Sequence, residues 1–546
     1  MKKKTWVILL TISIILAGCA QIGKLVGGLL TQSTDNLADV SMISQYIGNV
    51  YPKEVGTVEM DYFGDIWETG SSFVAVNFLK REGVGMYKID GLVKVNGQMV
   101  EHTANGAYVV KVPKQDSYSI EVETVTGQKS SFELKPTYPI KIKSINGGSD
   151  IVDMNKDLVL ELENPPGSEK TGIKVSLLAD VAGITTWTEI GNYKSMNKLI
   201  IPAKTFQNPA MANTIITSVR TGPSYLNVER FRIGDEKAPN TGASLMLSKS
   251  LDTRAVQVSE PDDTFNNISV VEEINDFKVD LSKPNAYMGR PFSTGKTFAI
   301  SSFAVRATKL TQQRTDVSSS SWTAGGYKYT QTVTTVKTRA FPQLPKERWD
   351  YLVNTLYADF ERTLKANYNV NLIPVERVTA AKNYAELFPI EDNYSEVEYS
   401  GSYKNTKVLL PTSLGEIMQS VSSTFAADRV DSRLIRELGV DGLIAVTIDL
   451  EMPWFEEIDD ISLTPRMSIR ISGGPTGYTY GPTIYAQGVI SGPGEEFDGE
   501  DLSFDFLEKT IRKDQLMDAF AKALNQLKKM EADYGYDAIW KDRYYY

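Results

Sequence analysis

Cysteine and histidine are almost absent from this 546-residue chain, which contains one residue of each. A single cysteine excludes an intramolecular disulfide, a cysteine-rich zinc site and an iron–sulfur cluster. A single histidine, His102, leaves most enzymatic mechanisms without the commonest general base and the commonest metal ligand. Hydrophobic residues, in contrast, make up 42% of the chain, which is enough for packed cores and excludes a disordered or collagen-like protein.

The one cysteine lies in the motif Leu16-Ala17-Gly18-Cys19, after the positive residues 2–4 and the apolar residues 6–16. This layout is typical of a secretory signal and is too short for a membrane-spanning helix. The motif resembles the bacterial lipobox. The resemblance implies that residues 1–18 are a lipoprotein signal peptide and that Cys19 is the lipid attachment. An ordinary signal peptide with a chance cysteine is the alternative.

Acidic residues outnumber basic ones, and cleavage before Cys19 increases the excess. Loss of three of the 58 basic residues leaves 55 against 68 acidic ones, a net charge of −13. Such a surface repels phosphate groups, so neither nucleic acid nor nucleotide is an expected partner. Membrane attachment would then depend on the acyl chains, at about 0.8 kcal/mol per buried methylene. Because Ala20 is not the aspartate that retains enteric lipoproteins at the inner membrane, the resemblance implies the outer membrane, with the face left open.

The first half of the chain has the pattern of short strands. Residues 19–54 are small and polar and predict a lipidated tether, with a short helix around 37–47. Period-2 runs and turn signals such as Asn96-Gly97 continue from 55 to 235. They predict two small β-sandwich-like domains, 55–138 and 139–235. Residues 236–295 are rich in turn-forming residues and predict a linker.

From residue 296 the pattern alternates between strands and helices. Strands are predicted at 298–305, 370–375, 443–448, 467–471 and 483–490, and helices after Pro345 and around 378–388, 430–438 and 516–527. Gly439 is expected to end the third helix in a left-handed conformation. The fold class is therefore multidomain: an N-terminal all-β part, then a layered α/β domain with a mixed sheet at 296–534. Residues 535–546 form an aromatic tail.

Three stretches of this C-terminal domain, residues 298–303, 370–377 and 438–446, resemble the periplasmic domain of the curli secretion lipoprotein (CsgG-like) family. The resemblance implies a role in assembly around other envelope components. Members of that family contribute amphipathic hairpins to a membrane barrel and lack large N-terminal β domains. The candidate hairpin here, residues 322–336, is too polar for a lipid-facing row, which argues against pore formation.

Few residues suggest chemistry. Ser293-Thr294-Gly295-Lys296-Thr297 is similar to a phosphate loop, but Arg290 stands where the first glycine is required, and a strand follows instead of a helix. We therefore expect a strand-initiating turn. His102 precedes a hairpin turn and is expected to be a surface side chain, since no G-x-S-x-G motif supplies a serine partner.

Two acidic clusters surround Glu456 and Asp498, at residues 456–460 and 495–501. Neither cluster has EF-hand spacing, so we expect these carboxylates to be solvated loop charges. Weak calcium binding is the alternative. No catalytic, cofactor-binding or metal residue is assigned. Carboxylate-only hydrolysis, as in glycosidases, stays open. The aromatic residues 540–546 suit an interface or a sugar-stacking platform. A disordered tail, or a tail packed on its own domain, is the alternative.

Two functional hypotheses follow. The first is a non-catalytic envelope lipoprotein that acts in assembly or scaffolding through protein contacts of the α/β domain, by self-association or with an envelope protein. The second is a cell-surface module that binds glycan or another extracellular ligand through its β domains. The two differ in which half of the chain contacts the partner.

Overall fold

The computed structural model describes residues 31–544 except 81–84, 104–105, 182, 208–216, 235–236, 263–266, 309–312, 325–326, 339–343, 388–396, 410–428, 452–461, 478–482 and 497–503. The described chain is mostly β-structure in several sheets, and all but one of its α-helices follow residue 345. The predicted concentration of helices in the C-terminal half is thus confirmed. None of the described helices combines the length and apolar composition that a membrane crossing requires.

The β-rich part, residues 31–258, contains eighteen described strands and one α-helix, α1 (Val58–Phe63). The strands are β1 (Thr31–Thr34), β2 (Val40–Gly48), β3 (Phe73–Lys80), β4 (Met86–Ile89), β5 (Gly91–Val95), β6 (Gln98–Met99), β7 (Ala107–Lys111), β8 (Tyr118–Thr124), β9 (Lys129–Leu134), β10 (Lys141–Ile145), β11 (Ile151–Val152), β12 (Leu158–Glu163), β13 (Gly172–Val181), β14 (Ile184–Lys194), β15 (Lys198–Ile201), β16 (Thr217–Val219), β17 (Gly222–Gly234) and β18 (Ala243–Val258).

One 11-stranded sheet organises the β-rich part, with the order β1-β4-β3-β2-β18-β17-β13-β14 and with β7, β11 and β16 paired beside this path. A four-stranded sheet, β6-β5-β8-β9, and a three-stranded sheet, β10-β12-β15, accompany it. Each small sheet packs on the large one through its own apolar cluster. The large sheet takes β3 from the predicted first sandwich and β13 from the second, so it crosses the limit placed at residue 138.

The structure places strands where the sequence predicts a tether and a linker. β2 lies within the predicted tether, yet it pairs with β3 and β18 and all nine of its residues are buried. The helix expected around 37–47 is therefore wrong. β18 lies in the predicted linker and pairs with β17 along thirteen residues. A strand buried on both faces shows no period-2 signal, and its small polar residues, such as Ser41 and Ser44, look like those of a loop.

The C-terminal part, residues 268–544, holds eleven described strands and six described α-helices. They are β19 (Ile268–Ile274), β20 (Phe277–Lys283), β21 (Thr297–Thr308), β22 (Gln313–Ala324), β23 (Tyr327–Thr338), α2 (Lys346–Tyr368), β24 (Asn371–Leu372), α3 (Val375–Thr379), β25 (Val397–Ser402), α4 (Val430–Leu438), β26 (Gly442–Glu451), β27 (Ser462–Gly473), β28 (Thr483–Ser491), β29 (Glu495–Glu496), α5 (Phe504–Ile511), α6 (Lys513–Asp533) and α7 (Tyr536–Trp540).

Nine of these strands form one mixed sheet, whose main order is β19-β20-β28-β27-β26-β21-β24. β21 runs parallel to β24 and β26, and the pairs from β26 to β19 are antiparallel. Helices α2 and α6 pack on each other, and α6 covers β19 and β20. These two strands come from the predicted linker, so the sheet begins well before residue 296.

Local signals in this part were informative where one face of a helix is apolar. The predicted helix after Pro345 is confirmed as α2, with Trp349, Leu356 and Phe360 buried. Gly439 ends α4 at φ 66°, as expected for a left-handed cap. The helix predicted over 378–388 is wrong, because only Val375–Thr379 is α-helical and a 3-10 turn follows at Asn383–Glu386.

Candidate functional site

The predicted lipid attachment, Cys19, lies outside the described residues. The acidic residues 456–460 and 497–501 lie outside them as well. Of the second acidic cluster, the described Glu495 is paired with Arg512 and with Lys509, whose Nζ is 3.3 Å from its carboxylate. The hydrogen bond from Arg512 holds the pKa of Glu495 below its ordinary value. This carboxylate therefore holds β29 to α5 and to the residue that links α5 and α6. The described residues contain no cluster of three or more metal-ligating side chains.

The segment similar to a phosphate loop is a strand-initiating turn, as predicted. A 3-10 turn at Phe292–Thr294 leads directly into β21. The carboxylate of Asp441 accepts hydrogen bonds from the backbone N–H groups of Lys296, at 2.8 Å, and Thr297, at 2.9 Å. The N–H groups that would hold a phosphate in a nucleotide site thus serve the protein's own carboxylate.

His102 is not the surface side chain that the sequence predicts. It forms an isolated antiparallel bridge with Tyr108, and the two rings meet edge to face with centroids 5.1 Å apart. The imidazole is half-buried, and its Nε2 has no hydrogen-bond partner among the described residues. Burial, with the charge of Lys88, lowers the pKa of His102. The structure thus places the imidazole against the ring of Tyr108 on β7.

A two-stranded ribbon, formed by β22 and β23, is a separate sheet among the described residues. Twelve residue pairs hold it in register, from Gln313↔Thr338 to Ala324↔Tyr327. The ribbon follows β21, which lies inside the mixed sheet, and is followed by α2. Among the described residues, β22 and β23 pair only with each other. On β23, Thr330, Thr332 and Thr334 share one exposed face.

An isolated ribbon of this length is physically incomplete. A two-stranded hairpin is at best marginally stable in water, because it has little core of its own. Each of its two outer edges also presents a row of backbone N–H and C=O groups that another strand can bind. The ribbon is therefore the candidate interaction site. Its composition is polar, as Ser318-Ser319-Ser320-Ser321 shows, which suits an aqueous protein contact.

The aromatic tail packs on both parts of the protein. Trp540 is buried, and its indole N–H donates a hydrogen bond to the carbonyl of Ala286. Beyond it, Lys194 N–H binds the carbonyl of Asp542 at 2.9 Å, and Tyr544 N–H binds the carbonyl of Asn192 at 3.1 Å. Of the roles left open for residues 540–546, packing on the own domain is thus seen for Trp540, whereas residues 542–544 pack on the β-rich part.

No protein-family model matches the chain, and no curated protein matches it significantly. The hairpin predicted at residues 322–336 is confirmed, with longer strands than expected, 313–324 and 327–338. Nothing local in the sequence shows that these two strands pair with no other described strand. The packing of the tail could not be predicted from local sequence, because an arginine such as Arg543 is normally expected at the protein surface.

Proposed function

We propose that this protein is a lipid-anchored, non-catalytic lipoprotein of the cell envelope, most simply of the outer membrane, and that it acts in assembly or scaffolding. The lipobox at Cys19 supports the anchor. The observation that carries the assembly role is the ribbon, whose two long edges offer backbone hydrogen bonds to a strand of another protein or of a second copy. Strand addition of this kind needs neither a histidine nor a cofactor.

We infer also that the C-terminal part is a layered α/β domain of the type seen in curli secretion lipoproteins. The three stretches on which that resemblance rests come together in space. Residues 298–303 lie on β21, next to Gly442 of β26 and Leu372 of β24, where Phe298 is in register with both. Helices α2 and α6 supply the covering layer. The sheets of the β-rich part are sandwich-like layers and would serve as a spacer or docking surface.

The net charge of −13 calculated for the chain after cleavage supports a protein partner over nucleic acid or an anionic lipid surface. The alternative, a glycan-binding module, would use the β-rich part. A shallow concavity of about 120 Å³ lies there on the β5-β8-β9 sheet, lined in part by Leu92, Lys94 and Glu121. Ligand pockets generally hold about 300–1,000 Å³, so this concavity gives the alternative little support.

Site-directed crosslinking in intact cells tests the assembly role. Because the chain's one natural cysteine would be acylated, an introduced cysteine can be labelled alone with a benzophenone maleimide. We expect Thr332→Cys on the ribbon to give a discrete protein adduct after irradiation. Ser131→Cys on β9, exposed on the sheet that carries the concavity, is the matched control. Adducts from residue 131 and none from residue 332 would favour the glycan-binding or docking role of the β-rich part.

The anchor has its own test. Cys19→Ser removes the thiol that would be acylated, so the variant should stay unprocessed or leave the membrane fraction entirely. Fractionation after a high-salt wash is the measurement. If the variant still sediments with the outer membrane as the wild type does, lipid attachment at this residue is wrong or redundant.

A further inference from the structure

Arg543 binds a seat formed by residues of both parts, Gly191 and Tyr193 of β14 and Tyr287 of the C-terminal part. Arg543 is 1% exposed, and its guanidinium carbon lies 4.9 Å from the ring centre of Tyr193 and 5.5 Å from that of Tyr287. Gly191 leaves the space for it, because a Cβ atom there would lie 1.7 Å from the Nη1 of Arg543. Any larger residue at position 191 would displace the guanidinium. The seat thus fits this one side chain closely.

Backbone pairing extends the seat along β14. Tyr193 and Arg543 form an isolated antiparallel bridge, so the tail pairs with β14 at the outer edge of the 11-stranded sheet. Trp540 anchors the other end of the segment on the carbonyl of Ala286. Residues 540–544, which we name the latch, therefore tie the C-terminal part to the edge of the β-rich part.

A buried carboxylate lies beside the latch. Glu189 of β14 is 3% exposed and accepts a hydrogen bond from the side-chain amide of Asn192. The charged and titratable groups that act on it come from four places: Arg543 on the latch, Lys174 on β13, Glu229 on β17 and Tyr287 in the 284–292 loop. Residue 477 of the loop after β27 closes the site from the C-terminal part, since a Cβ on Gly477 would lie 2.4 Å from the amide of Asn192.

We propose that Glu189 makes the latch sensitive to protons: the latch holds while Glu189 is protonated and opens more readily once this carboxylate is ionised. The Oε2 atom of Glu189 is buried and has no hydrogen-bond partner among the described residues. An ionised carboxylate in this position lacks the water that it needs, and opening the latch would return water to it. Arg543, Lys174 and Tyr287 favour the ionised form and Glu229 opposes it. The protonation state of Glu189 in the closed latch therefore depends on the balance between desolvation of the carboxylate and the charges of these groups. This inference does not depend on the ribbon.

Desolvation is the largest of these effects, and together they raise the pKa of Glu189 from 4.5 to about 7. With the latch open and the carboxylate hydrated, the pKa returns toward 4.5. The closed state then binds the proton more tightly, so the stability of the closed latch is greatest at low pH and is lost as pH rises from 4.5 through 7. The opening equilibrium should increase about 70-fold between pH 5 and pH 8, from the linkage of these two pKa values.

Amide hydrogen exchange on the full-length protein in detergent tests the proposal. After correction for intrinsic exchange rates, protection of the peptide containing residues 540–544 should fall about 70-fold from pH 5 to pH 8. A peptide from β26, far from the latch, should keep its protection. Glu189→Gln cannot ionise and should keep the latch protected at pH 8 as at pH 5.

A conservative second variant keeps the test informative if Glu189→Gln folds poorly. The hydroxyl of Tyr287 lowers the pKa of Glu189, so Tyr287→Phe should move the midpoint of the loss of protection to higher pH. Wild-type protection that is constant from pH 5 to pH 8 would overturn the proposal. The same fall in a folded Glu189→Gln variant would overturn it as well, and so would an unchanged midpoint in Tyr287→Phe.

Discussion

The β17–β18 pair and the ribbon are both long antiparallel pairs, with thirteen and twelve residue pairs in register. β17 and β18 lie inside the 11-stranded sheet, between β13 on one side and β2 on the other, and their side chains enter four apolar clusters. β22 and β23 have no neighbouring strand in the described chain. Pairing alone is therefore not what distinguishes a stable strand in this protein. The neighbours on either side decide whether a pair is part of a core or is left for a partner.

The largest effect expected from this comparison concerns the sheet neighbours of the C-terminal part. A fragment of residues 267–546 retains β19 and β20 beside β28 and should give a cooperative thermal melt with mixed α/β circular dichroism. A fragment that starts at residue 290 loses both strands and exposes Leu516 and Phe520 of α6, which lie in the same apolar cluster as Phe277 and Leu281. We expect it to aggregate or to melt without cooperativity.

Equal cooperative melts for the two fragments would show that the sheet does not need these neighbours. The longer fragment contains the ribbon but not the β-rich part. Light scattering gives the oligomeric state of this fragment and so shows whether the ribbon self-associates or requires a different envelope protein.

A smaller but still large difference is expected between single residues of the two pairs. Phe231 of β17 is fully buried, and its ring lies on Gly172 of β13. Phe231→Ala should lower the free energy of unfolding by about 3–5 kcal/mol. Thr332→Ala on the exposed face of the ribbon should change it by less than about 0.5 kcal/mol. Denaturant titration of both variants is the measurement, and similar losses would mean that the ribbon is part of the folded core.

The smallest effect expected is at His102. Its pKa is lowered in the folded state, so the unfolded chain binds the proton more readily. The wild type should lose stability as pH falls through about 6.5, by a few tenths of a kcal/mol because the ring is only half-buried. His102→Ala should fold normally and lack this pH dependence. Thermal melts of both proteins at pH 5 and pH 8 give the change in melting temperature with pH for each. A His102→Ala variant that cannot fold would contradict the small contribution to stability that we expect from this side chain.

Sequence patterns identified the elements whose neighbours are local. Trp349, Leu356 and Phe360 follow the period of one helix face, and Gly439 ends its helix by a rule that involves only backbone geometry. These features need no knowledge of distant residues.

The same patterns missed the elements whose partners are remote. Lys283 ends β20 in the predicted linker, but its ammonium group is fully buried against the carboxylate of Glu531 on α6 and donates to the carbonyl of Arg290 at 2.6 Å. Nothing in the local sequence around a lysine and a glutamate 248 residues apart predicts that they will form an ion pair. For the candidate site, the strand pattern of the ribbon could be predicted, whereas its isolation and the seat of Arg543 could not, because both depend on which strands lie beside which.

The position of β2 has a consequence for the order in which the chain folds. β2 runs parallel to β18, and nearby the side chain of Asn49 donates to the carbonyl of Leu251, 202 residues later. Pairing over such a separation is slow, because a long loop must close before any contact is gained. The middle of the large sheet therefore cannot form until residue 258 has followed. The β-rich part is therefore without its complete large sheet until 258 of the 546 residues have been made, which is nearly half of the synthesis.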